Sequence, residues 1–179
     1  MRQAVPVYVG GALLLVFGSG CFHPTTDAAP GKDASADSSA KCVTSDDAER
    51  MSTQVLHLVN LERGVEGLPP LVLDPVLEGV AEDFACRMID EGFFAHRDPG
   101  TGEGVSERAA AAEYPYLSIG ENLAAGQVSA AEVMRVWMES PSHRANILDP
   151  SWEEIGIAVR FGGEYSVYWV QEFGQPADE

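Results

Sequence analysis

Apolar positions begin to recur at helical spacing just after residue 45. Met51, Val55, Leu58 and Val59 share one face of a first predicted helix, opened by an Asp46–Glu49 capping box and closed near Gly64. The run GLPPLVLDP reads as an extended, proline-stiffened linker. Asp74 then supplies an N-cap and Pro75 a first-turn proline for a second helix, whose stripe of Leu77, Val80, Ala81, Phe84 and Met88 lasts until Gly92. FFAHRDPGTGEG is turn-rich, and SERAAAAEY predicts a short third helix opening at a cap-like Ser106. SIGENLAAG reads as small-residue filler between helices. Ser129 and Glu132 form another capping box, for a fourth helix with Val133, Val136 and Trp137 inward and Pro141 as its stop. SPSHRANILDPSW is a predicted loop, and IGIAVRF and YSVYWVQEF flank a GGE connection as a β-hairpin. Helices first and strands last, with too few strands for a barrel, give an α+β layered fold.

Ahead of this pattern the chain has a different character. Residues 1–20 carry one basic side chain, Arg2, and the run VYVGGALLLVF, the layout of an export signal too short to span as a mature membrane helix. The signal ends in FGSGC, so Cys21 follows Gly18, Ser19 and Gly20 as in a bacterial lipobox, and acylation there tethers the mature chain by lipid alone. Gly18 stands where such signals usually carry Leu, which leaves an ordinary cleaved signal peptide as the alternative. Residues 21–41, rich in Ala, Ser, Asp and Pro, are a tether with almost nothing to bury, His23 included. The folded domain is placed at 42–179. With Cys21 lipidated, the odd count of three cysteines resolves into one pair, Cys42 and Cys86, read as a disulfide across the outer face of the second helix, against a pair of unlinked thiols.

Charge narrows the partners. Without residues 1–20 the chain has 10 basic against 28 acidic side chains, a formal charge of −18. Nucleic acid is excluded as a partner, because binding it rests on neutralising phosphates with Lys and Arg. An anionic lipid surface is disfavoured on the same ground, leaving membrane contact to the anchor; the acidity reads as solubility.

The ionisable residues in predicted loops are His96, Glu121 and His143. Two imidazoles and a carboxylate with one open position are a familiar catalytic-metal set, but the spacing is long-range, so hydrogen-bonded structural roles compete with it. In that second reading Glu121 accepts backbone N–H groups, or the two histidines meet its carboxylate.

The ordered motifs NLERGVEGLPPL, FFAHRDP, IGENLAAG, VWMESPSHRANIL, EEIGIAV and YWVQEFG resemble the CAP domain (cysteine-rich secretory proteins, antigen 5 and pathogenesis-related proteins) in its bacterial form, over residues 46–174. The resemblance implies an α-β-α sandwich with a cleft, extracytoplasmic residence, and a tetrad of two His and two Glu that can hold a divalent metal. His96 and Glu121, the latter in the GEN motif beside Asn122, match two of the four. The second acid's place falls on Ser140, with Glu139 one step early and turned to solvent by the 100° helical advance. The second histidine's place falls near Tyr168, and His143 of PSHR enters as its substitute. The expected site is therefore His96, Glu121 and His143, with Ser140 and Asn122 as cleft neighbours and modest zinc affinity that weakens as pH falls. The function expected is an envelope-anchored binding module for a small apolar molecule, lipid, glycan or protein. A hydrolase using metal-activated water or Ser140 with His143 is the alternative, although ESPSHR lacks a nucleophile elbow and an evident oxyanion site.

Overall fold

The computed structural model describes residues 41–177, so the signal sequence, Cys21 and nearly all of the tether lie outside the described residues. Nine elements follow in order: α1 (Asp46–Val65), β1 (Val72–Leu73), α2 (Pro75–Glu91), α3 (Val105–Ala111), β2 (Tyr116–Ala125), α4 (Ala130–Glu139), α5 (Pro141–Ile147), β3 (Glu154–Gly162) and β4 (Ser166–Pro176). The sheet order is β1-β3-β4-β2, with β1 parallel to β3 and the remaining pairs antiparallel. None of the described helices is long and apolar enough to cross a membrane.

Strand alternation divides the core in two. Ile155, Ile157, Val159, Trp169 and Phe173 face α1, α4 and α5 and pack with Val55, Val59 and Trp137. Their neighbours Ala158, Tyr168 and Val170 face α2, where Phe84, Ala85 and Met88 close over them. The sheet thus has a helical layer on each face, the α-β-α sandwich expected. Gly156 sets the spacing on the α2 side, since a β-carbon there would run into the backbone of Leu77 and Glu78. Any side chain at this position would lift the first turn of α2 off β3.

The second helix forms where the sequence places it. Asp74 Oδ1 accepts the N–H groups of Val76 (2.9 Å) and Leu77 (2.8 Å), Pro75 occupies the first turn, and Gly92 ends the helix with φ 72°. Ser129 caps α4 through the N–H of Glu132, and the hairpin spans Gly162 to Ser166. Cys42 and Cys86 form a disulfide that ties the start of the domain to α2. Val43 adds a bridge to Phe161.

Other expectations are corrected. SIGENLAAG belongs to strand β2, paired with β4 from Ser118 to Ala125. It has few β-branched residues because Gly120 lies under Trp152, and cross-strand burial rather than propensity makes it extended. The loop expected around His143 contains α5, for which Pro141 is the first-turn proline as well as the end of α4. Caps shift too: α1 starts from Ser45 without a side-chain cap, α3 starts from Gly104, whose N–H is taken by Glu107, and Met134 rather than Val136 enters the core. The GLPPLVLDP linker contributes the two residues of β1.

Candidate functional site

Register brings two acids together. Glu121 of β2 stands directly opposite Glu172 of β4, and both project toward the α2 layer in step with Leu123 and Val170. Glu121 is 7% exposed and Glu172 fully buried. Two like charges opposite one another under a helix would be strongly unfavourable alone. Arg108 of α3 resolves this, its guanidinium hydrogen-bonding Glu121 and, at 3.3 Å, Glu172. The guanidinium carbon lies 3.4 Å from the ring centroid of Phe84, a cation–π contact that fixes its plane. Burial and then the charge of Glu121 push the Glu172 carboxyl well above the usual carboxylate range, against the pull of Arg108. Its Oε2 and the Nε of Arg108 have no hydrogen-bond partner.

His96 reaches the same acid from the α2–α3 loop. Within that loop Asp98 is buried and accepts the N–H groups of Thr101 (2.8 Å) and Gly100 (2.7 Å), which, with Arg87 at 2.7 Å, hold its carboxyl below the usual range. The loop so pinned sets His96 Nδ1–H 2.6 Å from Glu121 Oε1. That hydrogen bond chiefly, and the charge of Glu121, raise the His96 pKa above 6.5 in spite of partial burial. The ring is otherwise open, with 62% of the side chain exposed against 3% for Glu121. It borders a cavity of about 280 Å³ lined also by Arg97, Ser106, Glu107 and Glu121.

The remaining predicted residues make no hydrogen bond to Glu121 or His96 through their side chains. His143 belongs to α5, beside the edge strand β2, and Asn122 Nδ2 donates to its backbone oxygen at 3.1 Å. Burial, then the nearby charge of His96, lower the His143 pKa, and its Nδ1 has no partner. Asn122 is fully buried and also donates to Gln171 and accepts from Asn146, so it knits β2, β4 and α5 together. Ser140 Oγ contacts Ser142 Oγ at 3.3 Å and no histidine, so no Ser–His pair forms. Glu139 is on the surface, bonded to Arg135, as the helical geometry predicts. Tyr168 is buried in the α2-side core.

No group of three or more His, Cys, Asp or Glu side chains arranged to hold a metal occurs among the described residues. The donors at Glu121 explain why zinc does not fit the side chains as they stand. Oε1 is engaged by His96 and Oε2 by Arg108, while the spare oxygen of Glu172 is buried beneath the guanidinium. No step is therefore routed through a metal.

Arg108 and Glu172 were missed in the sequence. Glu172 carried a usable signal: in YWVQEF it falls in period-two step with Tyr168 and Val170, a charged residue at a core position that demands a buried partner. Arg108, in an alanine-rich helix, carried none.

The fold and the His96–Glu121 pair define a class, and comparison with known proteins agrees with it. Residues 56–173 match the cysteine-rich secretory protein family, CAP, and the chain belongs to that family. It is 35% identical over 120 residues to the uncharacterized protein YkwD of Bacillus subtilis (strain 168), a stretch covering 67% of this chain and 45% of the relative. Among solved structures it is similar to an extracellular protein containing an SCP domain from Bacillus anthracis, at 25% identity and a TM-score of 0.65, covering 74% of this chain and 44% of that one. An outer surface protein of Borrelia burgdorferi shares the fold at 20% identity and a TM-score of 0.67, covering 77% of this chain and 99% of that one. The chain spans under half the length of the two Bacillus relatives.

Proposed function

We propose that this protein is an exported CAP-domain binding module, held at the cell envelope by lipid on Cys21, that engages its ligand at His96. The observation carrying this reading is the split character of that histidine: one ring nitrogen is anchored on a buried carboxylate while most of the side chain faces an open cavity. With Nδ1–H spent on Glu121, the ring turns Nε2 outward, an acceptor for a ligand hydroxyl or N–H when neutral and a donor to a ligand oxygen when protonated, suited to the polar groups of a lipid, glycan or protein ligand. Export is supported by the signal-like residues 1–20 and by relatives described as extracellular or outer-surface proteins. Hydrolysis gains no support, since among the described residues neither Ser140 nor a metal-ligating group is placed to supply a nucleophile.

Two measurements test the reading. In cells fed a labelled fatty acid, the label should enter the wild-type chain and be absent from Cys21→Ser. In the mature protein, the His96 ring resonances should shift when envelope lipids or glycans are added, and His96→Ala should lose that binding with its melting temperature little changed. Binding that survives His96→Ala unaltered would remove the site from the account.

A further inference from the structure

We propose that the groove between α2 and α3 is a second binding site, one for a straight aliphatic chain that carries an amide. The groove holds about 410 Å³, within the roughly 300–1,000 Å³ of small-molecule sites, and shares no lining residue with the cavity beside His96. One wall is a continuous stripe of α2, with Val76, Gly79, Val80 and Phe84 at spacings of three and four; the other is Ala111 and Ala112 at the end of α3. Gly79 keeps the space between them open. A β-carbon there would meet no atom within 4 Å, in contrast to Gly156, so packing does not call for a glycine. Glycine inside a helix also weakens it. A locally unfavourable residue that packing does not explain marks a place where function sets the sequence.

Polar groups at the Phe84 end fix the chemistry of the ligand. Arg108 lines the groove with a side chain 9% exposed, and its terminal nitrogens donate to Glu121, Glu172 and the backbone oxygen of His96. Its Nε–H, next to the aliphatic stem, has no acceptor. Asp83, adjoining Phe84 in α2, adds an exposed carboxylate at the rim. An amide answers both, its oxygen accepting from Arg108 Nε and its N–H donating to Asp83. A carboxylate head would be repelled by Asp83 and Glu103, and Arg87 is already committed to Glu91, Asp98 and Glu103. An ammonium head has no lone pair to offer Nε. The proposal goes beyond the binding-module reading and does not depend on which ligand His96 meets.

The experiment is a saturation-transfer NMR titration of the mature protein at pH 7 with hexanamide, hexanoate and hexylamine. Hexanamide is expected to bind about tenfold more tightly than hexanoate, and more tightly than hexylamine. Gly79→Leu, which fills the groove and favours the helix, should weaken hexanamide at least about tenfold, with a melting temperature at or above that of the wild type. Asp83→Asn, which keeps an acceptor and removes the charge, should retain hexanamide and bring hexanoate to within about threefold of it. Hexanamide binding that Gly79→Leu leaves unaltered overturns the proposal, as does hexanoate or hexylamine matching hexanamide in the wild type. Should Gly79→Leu fail to fold, Ala111→Leu fills the groove from the opposite wall and decides by the same loss of hexanamide binding.

Discussion

Two buried arginines hold this domain together in opposite ways. Arg63 of α1 has no exposed surface and donates to neutral backbone carbonyls: Pro69 (2.9 Å), Ile147 (3.0 Å), Asp149 (2.9 Å) and Trp152 (3.3 Å). It ties α1 to the end of α5 and to the loop entering β3, and its partners have no protons to exchange. Arg108 meets two carboxylates, one of which reaches the exposed His96. The first cluster is complete apart from solvent and pH. The second keeps unpartnered atoms, Arg108 Nε and Glu172 Oε2, and a route to the surface. Satisfied buried polar groups mark architecture, while incompletely satisfied ones beside an opening mark a place where function sits.

The contrast can be broken by mutation, beginning with its larger side. Arg63→Ala should cost about 3–5 kcal/mol by orphaning four carbonyls in the core, and denaturant melts between pH 5 and 8 should show a near-constant loss. Glu121→Gln should cost about 2 kcal/mol, because it leaves Arg108 with a weaker partner. In the same variant the His96 titration, followed by NMR, should fall back toward 6.5 as its hydrogen-bonded carboxylate disappears.

Glu172→Gln should move the other way, stabilising by an amount on the order of 1 kcal/mol at pH 7. The Glu172 carboxyl has a folded-state pKa above its ordinary 4.5, so its favourable share is fully present below that pH and is lost as pH rises toward the folded-state value. The advantage of glutamine should accordingly vanish in acid and grow as pH climbs from 4.5. A pH-independent difference in the melts would mean that the fold does not raise the Glu172 pKa.

The legible and illegible parts of the sequence divide on the same line. Helix α2 was readable because Asp74, Pro75 and Gly92 act locally on the backbone they adjoin. The hairpin was readable from alternation, and the Cys42–Cys86 disulfide from an odd cysteine count. Strand β2 was not, because its extended form comes from β4, more than forty positions away in sequence, rather than from its own small residues. For the site, His96 and Glu121 were found through motifs, and the structure joins them. His143 is carried by α5, a helix read as a loop in the sequence, and its ring is near enough to His96 to feel its charge. The pairing of Glu121 with Glu172 is a matter of register, which no local window contains.

The bond between Cys42 and Cys86 has a mechanical consequence. Tension applied to the chain ahead of Cys42 passes through sulfur into the middle of α2, with the Val43–Phe161 bridge beside it. Helix α1, although next in sequence, is off the load path and is not peeled from the sheet when the domain is tugged. A pull on the start of the domain is then borne by the helix packed directly against β3 and β4.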